Sequence, residues 1–481
     1  MNSGITLFSF AIFLVIFLGV GALAAKVSDN TESDYLLGNR SFGKYFIGLS
    51  AGATTNSGWI MVGAVGFAYS TGVSSLLLIP VMFLGDLTFW TFFPDKINRI
   101  SREQDSQTIP EFLGSGVQKT REKRTIAFIV GLLAVSFLTL LTVAQFSAAA
   151  KTLNVFFGLD PKIGATIAAL SILFYCVTGG LRASIWTDVV QAFVVVFVSF
   201  GMLGVALVAG GGIPDIVSQL HEIDPQLTNF FAGYNPWTLI ALIVGFFSLA
   251  FGFDISQPQV LIRLLAGRSP EEAKAAKWTY LGYVYSTWTA MMLFGIICRV
   301  LVPSLADPEQ ALPLYASENF PPFLVGIILA GIFSVIASTA DSLILVTSSA
   351  LARDISPALH QKMSSRYGIK YEQLVTLLVG IAALVGTIFV SAKVFSLVLF
   401  VGGALGGSIG PAMLIILIKR RTHYLALSLA MMAGMSTCII WQLVGWSSIF
   451  NETLPGFVVA LCLHEVLMNK VFKLKKDNNI V

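Results

Sequence analysis

Apolar runs of about 20 residues follow one another from one end of this chain to the other, each long enough to cross a roughly 30 Å hydrocarbon core as a helix. In lipid every backbone N–H and C=O has to be paired within the structure, so runs of this kind fold as transmembrane helices. About thirteen of them begin near residues 3, 46, 74, 125, 163, 185, 237, 278, 323, 371, 394, 423 and 453. Only 12% of the residues are charged, against roughly 25% in soluble domains, and no stretch is left that could build a soluble domain of useful size. The first run, Ser3 to Ala25, ends in Ala22-Leu23-Ala24. It is too long, and too poor in preceding basic residues, for a cleaved leader, so a retained helix is expected.

The basic residues set an orientation. With the N-terminus outside, every Lys and Arg of the 30 except Lys151, Lys162, Arg299 and Lys393 falls in an inner loop or the C-terminal tail. Arg182, Arg263, Arg268, Arg353, Lys419 to Arg421 and the tail cluster Lys470, Lys473, Lys475 and Lys476 are among the inner set. Such asymmetry predicts an N-out, C-in polytopic protein. It also accounts for the net charge of +4 without a nucleic-acid partner. Cys176, Cys298, Cys438 and Cys462 lie in or beside apolar segments without metal-ligand spacing and read as small core residues. His221, His360, His423 and His464 are scattered near loops, and no nucleophile and base are recognisably paired, so neither an enzyme nor a metal centre is expected.

Two runs are interrupted. Ser50-Ala51-Gly52-Ala53-Thr54-Thr55-Asn56-Ser57-Gly58 places small and polar residues at mid-membrane, and Gly252-Phe253-Asp254-Ile255-Ser256-Gln257-Pro258 combines an acid, an amide and a helix breaker. Discontinuous helices at matching places in two halves point to a transporter's binding site. Each opens a group of five helices, residues 46–210 and 237–418, flanked by a first helix and inner loop at 1–45 and two helices with a basic tail at 419–481. An odd number of spans per group inverts the second against the first and brings both interruptions to one central cavity. A small-residue packing face is the competing reading for Ser50 to Gly58.

Carboxylates inside a membrane are costly and mark functional candidates. Asp86, Asp188, Asp254 and Asp341 are such groups. On the ninth run Val335, Ser338, Thr339 and Ser342 share a helical face, and with Asp341 they form an oxygen-rich stripe suited to a hard monovalent cation. Hydroxyls bonding back to the preceding turn are the competing reading. Asp188 could equally cap a helix N-terminus, Asp254 could pair with a cationic group or cap broken-helix amides, and Asp86 has no obvious partner.

The chain resembles the sodium/solute symporters, and among them the sodium/proline symporters. The residues that carry this are Ser33-Asp34-Tyr35-Leu36-Leu37-Gly38-Asn39-Arg40-Ser41, Leu49 to Ala53 with Ser57-Gly58-Trp59, and Thr178-Gly179-Gly180-Leu181-Arg182 with Trp186-Thr187-Asp188 and Gln191. Ser338-Thr339 with Ser342, and Gln257-Pro258, have the family's placement too. The resemblance implies an all-α membrane protein with an inverted five-plus-five, LeuT-like core, importing a small polar solute with sodium by alternating access. Its sodium site falls on the carbonyls of Ala53, Asn56 and Val335 and the hydroxyls of Ser338 and Thr339. A second sodium site, present in some members, maps to Asp188, Ser338, Asp341 and Ser342. Substrate contacts are expected from Thr55, Ser57, Gly58, Trp59, Asp254 and Gln257.

Proline-transporting members carry an acid where this chain has Thr55, and their aromatic pocket residues correspond to Leu141, Ala250 and Asp254, so proline itself is in question and an amine-bearing solute is the alternative. Sodium is the coupling ion, with no cofactor, in a cytoplasmic (inner) membrane, as a monomer or weak homo-oligomer. The competing function is a solute sensor working with a separate signalling partner.

Overall fold

The computed structural model describes residues 3–478 except 30, 232, 390–392, 420 and 449. Arg420, counted above among the inner basic residues, and Val481 lie outside the described residues, as do the side chains of the tail lysines.

The described residues form an all-helical protein. The principal helices are α1 (Ser3–Lys26), α2 (Lys44–Gly58), α3 (Leu78–Phe92), α4 (Thr120–Phe157), α5 (Pro161–Ala209), α6 (Pro236–Ser256) and α7 (Pro258–Leu265). They continue with α8 (Lys277–Leu301), α9 (Pro322–Ser349), α10 (Ile369–Gly386), α11 (Val394–Lys419), α12 (Tyr424–Leu443) and α13 (Thr453–Asn478). Among the described residues ten helical stretches are long and apolar enough to cross a membrane, and Pro161–Phe174 and Thr453–Asn469 are shorter apolar helices. The most enclosed, α9 and α11, are buried along nearly their whole length, while α1, α6 and α12 present Leu, Ile and Phe outward. A helix apolar all round is what a bilayer solvates on one side and a bundle on the other.

Both interruptions expected from the sequence are breaks in the helix. Ser57, inside the last turn of α2, sits at φ 49°, ψ 178°, and a π turn, Trp59–Ala64, follows. Gln257, between α6 and α7, is extended at φ −81°, ψ 107°, because Pro258 lacks the N–H that would continue the ladder and restricts the residue before it. The packing-face reading also holds for part of the first stretch. A Cβ on Gly52 would come within 2.7 Å of the Tyr283 ring, and one on Gly48 within 2.7 Å of Thr279. α2 therefore lies against α8 through its glycines, and Thr55 and Asn56 bond α8 on the same side, while Ser50 and Thr54 face α5 and α9.

A third break was expected as a loop. Gly180, at φ 54°, ψ −152°, turns the chain within α5, and a side chain there would strike the Tyr35 carbonyl at 2.5 Å. Next to it Arg182, assigned above to an inner loop, is buried and donates to Asp34 through Nε at 3.0 Å and through its terminal nitrogen. Burial alone would raise the Asp34 carboxyl, but hydrogen bonds from Arg182 and Ser28 and the guanidinium charge outweigh it and hold the group below the ordinary aspartate range. Cys176, Cys298 and Cys438 are buried as expected, whereas Cys462 is exposed on α13. His464, expected near a loop, is fully buried against Thr422 at 2.7 Å. α13 packs back onto α12 there and covers it.

Candidate functional site

Three groups of side chains surround the broken helices, the first two of them against α9. The first is a cluster of neutral oxygens between α2 and α9. Ser338 Oγ lies 3.1 Å from the Ala53 carbonyl and 3.2 Å from that of Val335. Thr339 Oγ1 lies 2.9 Å from the Thr54 carbonyl and 3.0 Å from Val335. The i, i+3, i+4 spacing on α9 puts the two hydroxyls on one face, over a carbonyl of their own helix and opposite the last regular turn of α2. An all-oxygen set of this kind fits a small hard cation. The structure thus brings together Ala53, Val335, Ser338 and Thr339. Asn56 stands apart: its carbonyl accepts from the Trp59 N–H, and its side chain is held by Thr287 at 3.1 Å and Trp288 Nε1 at 2.8 Å. The Thr54 carbonyl takes part although the sequence reading omitted it, because a main-chain oxygen leaves no residue-type signal.

The second group is ionic and fully buried. Arg263, on α7, has no solvent exposure, which corrects its assignment to an inner loop. Its guanidinium donates to Asp188 Oδ2 at 3.2 Å, Ser50 Oγ at 3.0 Å, Ser184 Oγ at 3.0 Å, the Gln259 carbonyl at 2.7 Å, and Ser342 Oγ. Ser50 Oγ also donates to Asp188 at 2.5 Å, and Asp341 Oδ1 lies 3.0 Å from Ser184 Oγ and 2.9 Å from Ser342 Oγ. Asp188, within the long α5 and paired to Arg263, is not a helix cap. Charge-assisted hydrogen bonds on every side are what make a buried guanidinium tolerable.

α7 is fixed from the end of the molecule where the basic residues gather. Arg40 bonds the Leu265 carbonyl at 3.2 Å, Asn98 those of Leu264 and Gly267 at 2.6 and 2.9 Å, and Arg102 that of Gly267 at 2.7 Å. Cationic and amide side chains on the last carbonyls of a helix complement its negative end. They set Arg263 one turn deeper. No cue within the Arg263 segment separates it from the loop cations Arg268 and Lys274, since its partners lie far away in sequence.

The third group forms the wall of a cavity of about 40 Å³ lined by Thr55, Trp59, Met82, Asp86, Leu249, Ala250, Phe253, Trp288, Val398 and Leu399. That is room for a few waters at roughly 10–15 Å³ each. Of the expected substrate residues, Thr55 and Trp59 line it, and so does Ala250. Ser57, Gly58, Asp254, Gln257 and Leu141 are not in its wall. Ser57 Oγ caps the Trp59 N–H at 3.0 Å, and the Gly58 N–H is taken by Gln145 at 2.8 Å. Gln257 accepts from Gln259 at 2.8 Å. Asp254 is covered by Tyr280, whose hydroxyl lies 3.0 Å from Asp254 Oδ1 and 3.2 Å from Thr55 Oγ1, with the Trp90 ring stacked on it at 4.3 Å.

Helices broken at mid-bundle, an oxygen cluster at one break and a cavity beside it are the features that point to a secondary transporter. The chain belongs to the sodium:solute symporter family, whose model matches residues 35–434. It is 29% identical over 449 residues to the high-affinity proline transporter PutP of Bacillus subtilis (strain 168), covering 92% of this chain and 93% of that one. To the sodium/proline symporter of Escherichia coli (strain K12) it is 27% identical over 468 residues, covering 94% and 90%. Among solved structures, a Na+-coupled sialic acid symporter in a substrate-bound outward-open state superposes with a TM-score of 0.77 at 20% identity, over 97% of this chain and 98% of that one. The fold is therefore that of the LeuT-type sodium symporters, and the proteins matched are transporters, not enzymes.

Proposed function

We propose that this protein imports a small polar solute, an amino acid or a related amine-bearing compound, driven by the sodium gradient across a cytoplasmic membrane. Sodium is the coupling ion and binds at the α2–α9 crossing; no other cofactor takes part, and the unit is a monomer or weak homo-oligomer. The chain crosses the membrane thirteen times with its N-terminus outside, and the two five-helix groups, 46–210 and 237–418, rearrange about the cavity. The observation that carries this reading is the convergence of the Ala53, Thr54 and Val335 carbonyls with the Ser338 and Thr339 hydroxyls beside a broken helix. A cation there ties α2 to α9, so it favours whichever conformation holds them together and raises solute affinity in that state; the coupling is reciprocal.

A second sodium between Asp188, Ser338, Asp341 and Ser342 requires the Arg263 guanidinium to withdraw from Asp188 and Ser342. That weighs toward one sodium per cycle. The proline named for the relatives supports an amino-acid-sized solute, while the sialic acid symporter shares the fold with another substrate. Uptake into proteoliposomes of labelled proline and a panel of cationic and neutral amino acids, under an inward sodium gradient or with potassium in its place, tests the reading. Accumulation is expected only with sodium. Equal uptake in both salts would overturn the coupling.

A further inference from the structure

The carboxylate in the cavity wall is Asp86, on α3, a residue to which the sequence assigned no role. α3 reaches the cavity because Gly85 lets it lie against α6: a Cβ there would come within 2.6 Å of the Phe247 carbonyl and 2.8 Å of the Ala250 Cβ. Asp86 Oδ2 accepts from the Tyr285 hydroxyl at 2.8 Å. Tyr285 is itself fixed edge-on by Phe83 and packed on Trp288, at ring separations of 5.0 and 5.1 Å. Among the described residues Asp86 forms no ion pair, in contrast with Asp188, whose charge Arg263 answers.

The rest of the wall has no charge but a set of aromatic faces. Trp59 and Trp288 lie 4.9 Å apart, with Phe253 in the same wall, and Asn56 holds the Trp288 indole at 2.8 Å. A buried acid whose hydrogen-bond partners are the neutral Tyr285 and Tyr280 hydroxyls, surrounded by aromatic faces, is matched by a positive charge placed among them, through the ion pair formed when the acid ionises and through cation–π attraction. We infer that Asp86 is the counter-charge for a positively charged nitrogen of the solute, with Trp59, Trp288 and Phe253 around it, and that the cavity selects organic cations or zwitterions over their uncharged or anionic isosteres. Asp254, shielded by Tyr280, does not contact the solute. The inference rests on the reading of this cavity as the solute site.

The test measures binding to the purified full chain by quenching of indole fluorescence, beside sodium-driven flux in proteoliposomes. The probes are pairs that differ by the charged nitrogen: choline and 3,3-dimethylbutanol, proline and cyclopentanecarboxylate, putrescine and 1,4-butanediol. The wild type is expected to prefer the nitrogen-bearing member of at least one pair by about 100-fold, the scale expected of a buried charge pair. Asp86→Asn, which keeps an acceptor for Tyr285, should bring that ratio below about 10, and Asp86→Glu should restore most of it. Tyr285→Phe should leave the ratio in place; if it instead matches Asp86→Asn, the acid only positions Tyr285 and the inference is overturned. The inference also fails if Asp86→Asn leaves the ratio unchanged, or if no nitrogen-bearing probe binds better than its isostere. Cation binding without sodium-driven flux would sink the transport reading and keep this one. Sodium-driven uptake of a neutral or anionic solute, unaffected by Asp86→Asn, would do the reverse.

Discussion

At Thr339 a single hydroxyl reaches two carbonyls, one on its own helix and one on α2. Thr339→Ala removes that oxygen while leaving the helix intact, so the sodium concentration for half-maximal uptake should rise about tenfold, the worth of one modest ligand at roughly 1.4 kcal/mol. An unchanged sodium dependence would count against the site. This face was legible in the sequence because helical spacing alone aligns Ser338, Thr339 and Ser342. Arg263 was not, because its environment is assembled from α2, α5 and α9 at long sequence distance. Arg263→Met leaves Asp188 buried without its ion-pair partner and should cost about 3–5 kcal/mol. Adding Asp188→Asn should recover a good part of the lost thermal stability, measured as the unfolding midpoint in detergent. A double variant no more stable than the single one would show that the pair does not hold this region together.

At the scale of the helices, the two breaks could be read in advance because each has a local chemical cause. Pro258 withholds an N–H, and the run from Ser50 to Gly58 lacks the large apolar side chains that a lipid-facing helix would carry. What could not be read is how each break is finished. Ser57 takes a positive φ with an extended ψ, a region that is almost confined to glycine, and its hydroxyl caps the Trp59 N–H. The turn and its cap place Trp59 where it lines the cavity. Ser57→Val removes the cap and puts a β-branched residue at positive φ, for a loss of about 2 kcal/mol or more. Ser57→Gly relieves the strain and should fold at least as well as the parent. Comparing the melting of the two variants decides the point: equal destabilisation would mean that the backbone there is not strained. The turn at Gly180, by contrast, was expected only as the inner loop that carries Arg182; the structure makes it a kink within α5, against which Tyr35 packs so closely that no side chain fits there.

For the molecule as a whole, alternating access requires that the cavity open to one side at a time, and the partition at the end opposite Arg263 is visible. A larger cavity of about 610 Å³ lies beyond the first, lined by Asn235, Phe395 and Glu452 among others, and shares Leu399 with it. Phe395 stands between them, stacked 5.8 Å from Trp59 and 4.8 Å from Phe67. Its backbone is held by Glu309, which accepts from the Phe395 N–H at 3.1 Å and the Val394 N–H at 3.4 Å. Lys151, at the end of α4, bonds Glu309 at 2.5 Å and Asp307 at 3.2 Å. A cation that looked from the sequence like a stray outer charge thus ties α4 to the segment that steadies the start of α11. In the orientation proposed above this latch faces outside, so Lys151→Met should free Phe395 and shift the population toward an outward-open state. With Cys176, Cys298, Cys438 and Cys462 replaced by serine or alanine and Leu399→Cys introduced, a membrane-impermeant thiol reagent added outside should react about tenfold faster in the Lys151→Met background, a shift of roughly 1.4 kcal/mol. An unchanged rate would mean that Lys151 does not control the partition, and faster labelling only from the opposite side would reverse the orientation.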